Sequence, residues 1–179
     1  KDIRALMKYG KALGVDTSLL ESMIRINESR VDWVLNVLED FGVKTNSQIL
    51  LLGLSYKPQT DDLRGSPSTR LLQALIEKGY RVYVYDPYVH YVAQNVKGNL
   101  AKMIRSRRYL KEILRKTDAV VIATEHEYFY DILLANINNI PSSTLIVDAR
   151  RLLVRAKRVL DSVRIRYVTV GRYTKNKSV

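Results

Sequence analysis

Apolar residues recur at three- and four-residue intervals over the first forty positions, then give way to short, nearly unbroken runs. Ile3, Leu6, Met7 and Leu13 share one helical face, and Gly14 follows as a stop. Ser18 and Glu21 match the S-x-x-E capping box, in which hydroxyl and carboxylate each satisfy a free backbone amide, so a second helix is predicted from Ser18. Its apolar seam runs Leu20, Ile24, Val31, Val34, Leu38 and Phe41, broken only by Asn27. No other segment promises a helix of equal length. The seam therefore predicts packing against a second subunit, as a homodimer through the helix from Ser18 to Phe41, or against a part of the protein outside this chain; an ordinary core-facing helix is the alternative.

From Gln48 onward, five apolar runs (ILLLGLSY, RVYVYD, AVVIAT, TLIVDA and IRYVTV) alternate with amphipathic segments at Pro67 to Lys78, Arg108 to Lys116, Tyr128 to Ile137 and Arg151 to Asp161. Runs apolar at nearly every position suit strands buried on both faces. Strand and helix in alternation predict an α/β fold, a Rossmann-like parallel sheet of about five strands. The chain thus divides into a helical arm, 1–47, and an α/β domain, 48–179, joined through FGVKTNS, with a basic polar tail RYTKNKSV that is expected to fray.

A length of 179 residues suits one domain with an appendage, and no stretch approaches the roughly 18 apolar residues of a membrane span. A soluble, cytoplasmic protein is expected. The sequence holds no cysteine, which excludes a disulfide, a thiolate metal site or a cysteine nucleophile within these residues. It opens on Lys1 with an amphipathic segment, as expected of a piece of a longer protein. The net charge of +12 is unevenly spread: ten basic residues face one acid between Arg150 and Lys177, and a second cluster covers Lys102, Arg105, Arg107, Arg108, Lys111, Arg115 and Lys116. Such a field attracts polyanions, so a basic nucleic-acid-binding domain is one alternative; solvated helix faces account for it better.

In a parallel sheet of this kind the ligand sits at the carboxyl ends of the strands, so the residues just after each apolar run carry the chemistry. After the first run, Ser66-Pro67 is an N-cap and first-turn pair whose helix amides face back across the loop and favour an anion. The G-x-G-x-x-G fingerprint is absent, because Gly53 is followed by Leu54 and Ser55. Lys57 and Arg64 are the cations placed to reach phosphate, while Asp61 and Asp62 hold the loop, orient Arg64 or cap a turn rather than bind metal. Asp86, ending the second run, either accepts ribose hydroxyls or fixes its turn. His126 fits a polar contact or helix cap better than catalysis, and His90 lies in a separate loop. Arg150 ends the fourth run and either converges with Lys57 on a diphosphate-sized site or is a solvated cation.

With these residues in view, GLSYKPQTDDLRGSP followed by a helix and YVYDPYV resembles the C-terminal domain of the NAD-dependent nucleotide-sugar 6-dehydrogenases. TEHEYF and VDARR resemble that family's later motifs in the same order, and KDIRAL resembles the segment that follows its cysteine nucleophile in a Gly-Gly-x-Cys-x-Pro-Lys-Asp type of motif. The resemblance spans nearly the whole chain and implies a division of labour. The family oxidises a sugar C6 alcohol to a carboxylate with two NAD molecules in succession, through a thiohemiacetal and a thioester on that cysteine. The cysteine, the catalytic Lys and Asn and the N-terminal NAD-binding domain are not among these residues, so the chain alone is expected to be inactive.

Carried over by motif, Asp2 resembles the acid that positions or activates water, and Lys1 a residue at the NAD edge of the site. Tyr56 and Lys57 resemble the pair that contacts the nucleotide-sugar, Arg150 an arginine that binds it, and Arg64 the arginine that reaches NAD. Gly65 departs from the acid often found between Arg and Ser. The resemblance favours UDP-glucose, with GDP-mannose and UDP-N-acetylmannosamine as alternatives, and it implies a homodimer. Polysaccharide biosynthesis is the expected setting.

Overall fold

The computed structural model describes residues 2–89, 101–104 and 106–171. Lys1, His90, Arg105 and the tail 172–179, all named above, lie outside the described residues. The elements in chain order are α1 (Asp2–Ala12), α2 (Ser18–Asp40), β1 (Gln48–Leu52), α3 (Pro67–Glu77), β2 (Arg81–Tyr85), β3 (Ala101–Met103), α4 (Arg107–Leu114), β4 (Ala119–Ile122), α5 (Glu127–Ala135), β5 (Leu145–Asp148), α6 (Lys157–Ser162) and β6 (Arg166–Thr169). Short 3-10 turns occupy Ile137–Asn139 and Val154–Ala156.

Six strands form one sheet, every pairing parallel, in the order β3-β2-β1-β4-β5-β6. The sixth is β3, a three-residue edge strand that the apolar runs do not signal. Alternate strand residues serve two cores. Ile49, Leu51, Val121 and Val147 join α2 and α3 on one face, while Leu50, Leu52, Val120, Ile122 and Ile146 join α4, α5 and α6 on the other. This double burial explains why β1, β4 and β5 are apolar at nearly every position. Chain order reverses between β1 and β4, with α3 and α5 leaving to opposite faces; a crevice opens there, outside the carboxyl ends of the strands.

The long seam of α2 divides. Val34, Leu35, Val37 and Leu38 are buried within the first core, alongside α3 and the sheet. Toward the other end, Leu20 and Ile24 are half-buried, while Leu19, Met23 and Ile26 are exposed, Leu19 to 73%. The exposed Leu6, Tyr9 and Leu13 of α1 enlarge this uncovered apolar surface, and α1 itself buries no residue.

The capping box does not form as read. Thr17 is the N-cap and Ser18 the first helical residue, because Asp16 takes both the amide (2.9 Å) and the hydroxyl (3.1 Å) of Ser18. Glu21 instead pairs with Lys11 of α1 at 2.6 Å, and that ammonium holds the Glu21 carboxyl below the usual range. Residues 41–47 make a tight joint in which Val43 is buried and its carbonyl accepts the Tyr80 hydroxyl at 3.3 Å.

Candidate functional site

The β1–α3 loop begins with a forced close approach. Gly53 has φ +96°, and a Cβ there would lie 2.4 Å from the Cβ of Thr124, in the loop after β4. The two loops are also stitched by hydrogen bonds: the Thr124 hydroxyl donates to the Ser55 carbonyl at 2.9 Å, and the Ser68 hydroxyl to the Ala123 carbonyl at 3.2 Å. Ser66 caps α3 as its sequence predicts, accepting from the Ser68 amide at 3.1 Å while donating to the Leu54 carbonyl at 2.7 Å. The start of α3 is thereby fixed against the crevice, where the positive end of its helix dipole favours an anion.

Two buried carboxylates hold the neighbouring loops. Asp86, at the end of β2, accepts the amides of Leu54 (2.8 Å) and Ser55 (3.0 Å) on one oxygen and those of Tyr88 (2.9 Å) and Val89 (3.1 Å) on the other. Burial alone would raise its pKa; the nearby His126 ring and those amides outweigh it and hold the carboxyl well below the carboxylate range. Both oxygens being so occupied, Asp86 fixes its turn and does not present itself to ribose hydroxyls. Asp148, at the end of β5, accepts the amides of Arg150 (3.0 Å) and Leu153 (2.8 Å) and the Tyr167 hydroxyl (2.9 Å). The turn so closed puts Arg151 at φ 61°, which prevents the helix predicted from Arg151; α6 starts only at Lys157.

Tyr56, Lys57 and Arg150 line one cavity of about 330 Å³, together with Glu125, Asn27 and the start of α3. Glu125 holds Arg150 through the guanidinium Nε, a grip that leaves the four Nη–H groups to meet an anion. Burial pushes the Glu125 carboxyl up, and Arg150 more than offsets this, keeping it below the usual range. Arg64 lines an adjoining cavity of about 630 Å³ with Arg4, Arg70 and Tyr56. It is 88% exposed and grips Asp62 with two nitrogens, at 2.9 and 3.0 Å, so Asp62 orients it. Asp2 opens α1 beside Ile3 and Arg4, which line that second cavity, but is not itself a lining residue. Lys57 and Arg150 are thus brought together, with Arg64 next door.

Asn27 was not predicted as a site residue, although it lines both cavities and a third of about 400 Å³ beside Trp33. Its signal was present: a polar residue interrupting an otherwise apolar seam. Among the described residues no three His, Asp or Glu side chains gather to hold a metal ion, and no helix is long and apolar enough to cross a membrane. Of the basic residues near the C-terminus, Arg155 pairs with Glu127, Lys157 with Asp161, and Arg166 with the carbonyls of Phe41 and Ser143. An NAD site on this domain finds little support in its residues: the glycine fingerprint is missing and Asp86 is committed to backbone amides.

Residues 50–155 match the family model for the UDP-glucose/GDP-mannose dehydrogenase family, UDP binding domain. The chain is 33% identical over 178 residues to the UDP-glucose 6-dehydrogenase of Rickettsia bellii, covering 96% of this chain and 39% of that protein. It is 36% identical over 138 residues to the GDP-mannose 6-dehydrogenase of Pseudomonas putida, covering 72% of this chain and 30% of that protein. Among solved structures, a UDP-glucose dehydrogenase from the archaeon Pyrobaculum islandicum superposes with a TM-score of 0.66 at 26% identity, over 82% of this chain and 32% of the other. The match extends through the loop of Tyr56 and Lys57 and through Arg150, and the chain spans about two fifths of the length of the Rickettsia relative. This chain belongs to the UDP-glucose/GDP-mannose dehydrogenase family, of which it carries the UDP-binding domain.

Proposed function

We propose that the chain grips the nucleotide-sugar in a UDP-glucose 6-dehydrogenase, with the diphosphate held between Lys57 and Arg150 at the start of α3. The carrying observation is that Tyr56, Lys57 and Arg150, from loops 93 positions apart, line one cavity at the sheet's reversal point. Arg64, exposed in the adjoining cavity, would reach NAD bound to another domain, with Lys1 at the same edge and Asp2 placing water for the later hydrolysis. NAD supplies hydride acceptance; this chain supplies binding and orientation, and the cysteine nucleophile would come from outside these residues. UDP-glucose is favoured over GDP-mannose because the alignment with the Rickettsia enzyme covers 96% of this chain, against 72% for the Pseudomonas putida enzyme.

The uncovered face of Leu6, Tyr9, Leu13, Leu19, Met23 and Ile26 supports a homodimer through the N-terminal half of α2 with α1 beside it. The ion pairs that occupy Arg155 and Lys157 weigh against a nucleic-acid surface. The test is titration of the 15N-labelled chain with UDP, UDP-glucose, GDP and GDP-mannose, because chemical shifts register millimolar binding. Uridine ligands should move the amides of residues 55–57, 59 and 149–151 at lower concentration than guanosine ligands. No shift with any of the four would refute the assignment.

A further inference from the structure

His126 is buried to 3% exposure and lies outside the roles described so far, yet it touches three elements around the proposed diphosphate site. Its Nδ1 accepts the Gln59 amide at 3.5 Å, so the ring proton sits on Nε2. That nitrogen faces the Ser55 hydroxyl at 3.1 Å and stands 3.6 Å from an Asp86 carboxylate oxygen. Tyr88 stacks on the ring, centroids 5.5 Å apart and planes at 21°, and Phe129 of α5 meets it edge-on at 5.1 Å.

Serine, histidine and aspartate here are not a nucleophile relay. In a relay the carboxylate holds the ring nitrogen opposite the serine, whereas Ser55 and Asp86 both meet Nε2. The ring instead bridges the two ends of the segment Ser55 to Gln59, between which lie Tyr56 and Lys57. Gln59 is held at φ 62°, a left-handed conformation that a residue with a Cβ rarely adopts without support from its surroundings. The residue preceding His126 is Glu125, the partner of Arg150. One buried ring therefore connects the loop that presents Lys57 with the loop that orients Arg150.

The geometry points to His126 as a positioning residue that sets the separation of Lys57 and Arg150 for a nucleoside diphosphate, an inference that rests on the proposed nucleotide-sugar site. Its two nitrogens have separable tasks. Nδ1 holds the far end of the Lys57 segment through Gln59, and Nε2 holds the near end through Ser55.

Three variants of the 179-residue chain test this. His126→Phe keeps the aromatic packing and removes both nitrogens, His126→Asn leaves an acceptor near the position of Nδ1, and Ser55→Ala removes the Nε2 partner alone. In His126→Phe the amide of Gln59 should exchange with solvent about tenfold faster with no ligand present, and UDP should bind about tenfold more weakly, while the thermal transition stays cooperative. His126→Asn should restore most of the Gln59 protection and most of the affinity, which a generally damaged core would not do. Unchanged Gln59 exchange together with unchanged UDP affinity in His126→Phe overturns the inference, as does an Asn variant no better than Phe. If the Phe variant does not fold, Ser55→Ala serves instead: a threefold or greater loss of UDP affinity supports the bridge, and unaltered affinity overturns it. Failure of the wild-type chain to bind UDP would refute the nucleotide-sugar site itself, and is told apart from failure of the bridge by the ligand-free exchange of Gln59.

Discussion

Replacing Asp86 by Asn keeps shape and volume while changing what the side chain can accept. The carboxylate receives four backbone amides at 2.8 to 3.1 Å, two on each oxygen. An Asn amide can serve one pair with its oxygen, but its NH2 group then confronts the other pair, donor against donor. Two buried N–H groups are left unsatisfied at about 1–3 kcal/mol each, so the variant should lose about 2–6 kcal/mol. For a domain of this size, stable by about 5–15 kcal/mol, that is a large share. Urea unfolding followed by the fluorescence of Trp33, the single tryptophan, would measure it. The pH dependence supplies a second check. A carboxyl held well below its ordinary range contributes stability that is complete above its unfolded pKa, near 4, and is lost as pH falls toward the folded value. The gap between wild type and Asp86→Asn should therefore be flat from about pH 7 to 5 and narrow by about 1.4 kcal/mol per unit below about pH 4. A gap under about 1 kcal/mol at pH 7, or one constant down to pH 3, would show that the amides of the two loops do not depend on this charge.

Other perturbations separate the remaining features. Gly53→Ala should cost about 3 kcal/mol or more in chemical denaturation, because the new methyl meets both the side chain and the backbone nitrogen of Thr124 at a positive φ; a loss below about 1 kcal/mol would mean that the two loops can part. Met23→Asp should convert a sedimenting dimer to monomer and make the melting temperature independent of protein concentration, since Met23 is exposed within its own chain; a dimer that persists argues for a different interface. Lys57→Ala and Arg150→Ala should each weaken UDP binding about tenfold, while Arg64→Ala leaves it alone and, in an enzyme with its NAD domain, raises KM for NAD. Equal effects of all three on UDP would erase the division between the two cavities.

The sheet was legible because β1, β4 and β5 are buried on both faces and so carry apolar residues at nearly every position. β3 was not: three residues with Lys102 at the centre, on an edge that needs apolar contact from one neighbour only, leave no periodic trace. The helix predicted from Arg151 starts late because Asp148 claims the amides of Arg150 and Leu153, a side-chain contact that a hydrophobic pattern cannot express. Lys57 and Arg150 were legible as crevice residues since both follow strands of known direction. Asn27 was noticed as a flaw in a seam rather than as a lining residue, because its place depends on how α2 lies across the crevice. His126 carried the weakest signal of all. Its partners Ser55, Gln59 and Asp86 stand 40 or more positions away, and only the closed sheet brings them around one ring.

The bareness of α1 reaches beyond the proposed dimer. An eleven-residue helix with no buried side chain lies below the length at which an isolated helix persists in water, and it is tied to α2 by half-buried Ile3 and Met7 and two exposed ion pairs worth little. Its order must come largely from whatever lies against its outer face. In the proposed dimer, folding and association would be a single event at this end of the molecule, and the amides of α1 a concentration gauge. Their protection should climb as the chain is concentrated while that of β1 and β4 stays level, and the helix that bears Asp2 would be assembled only in company.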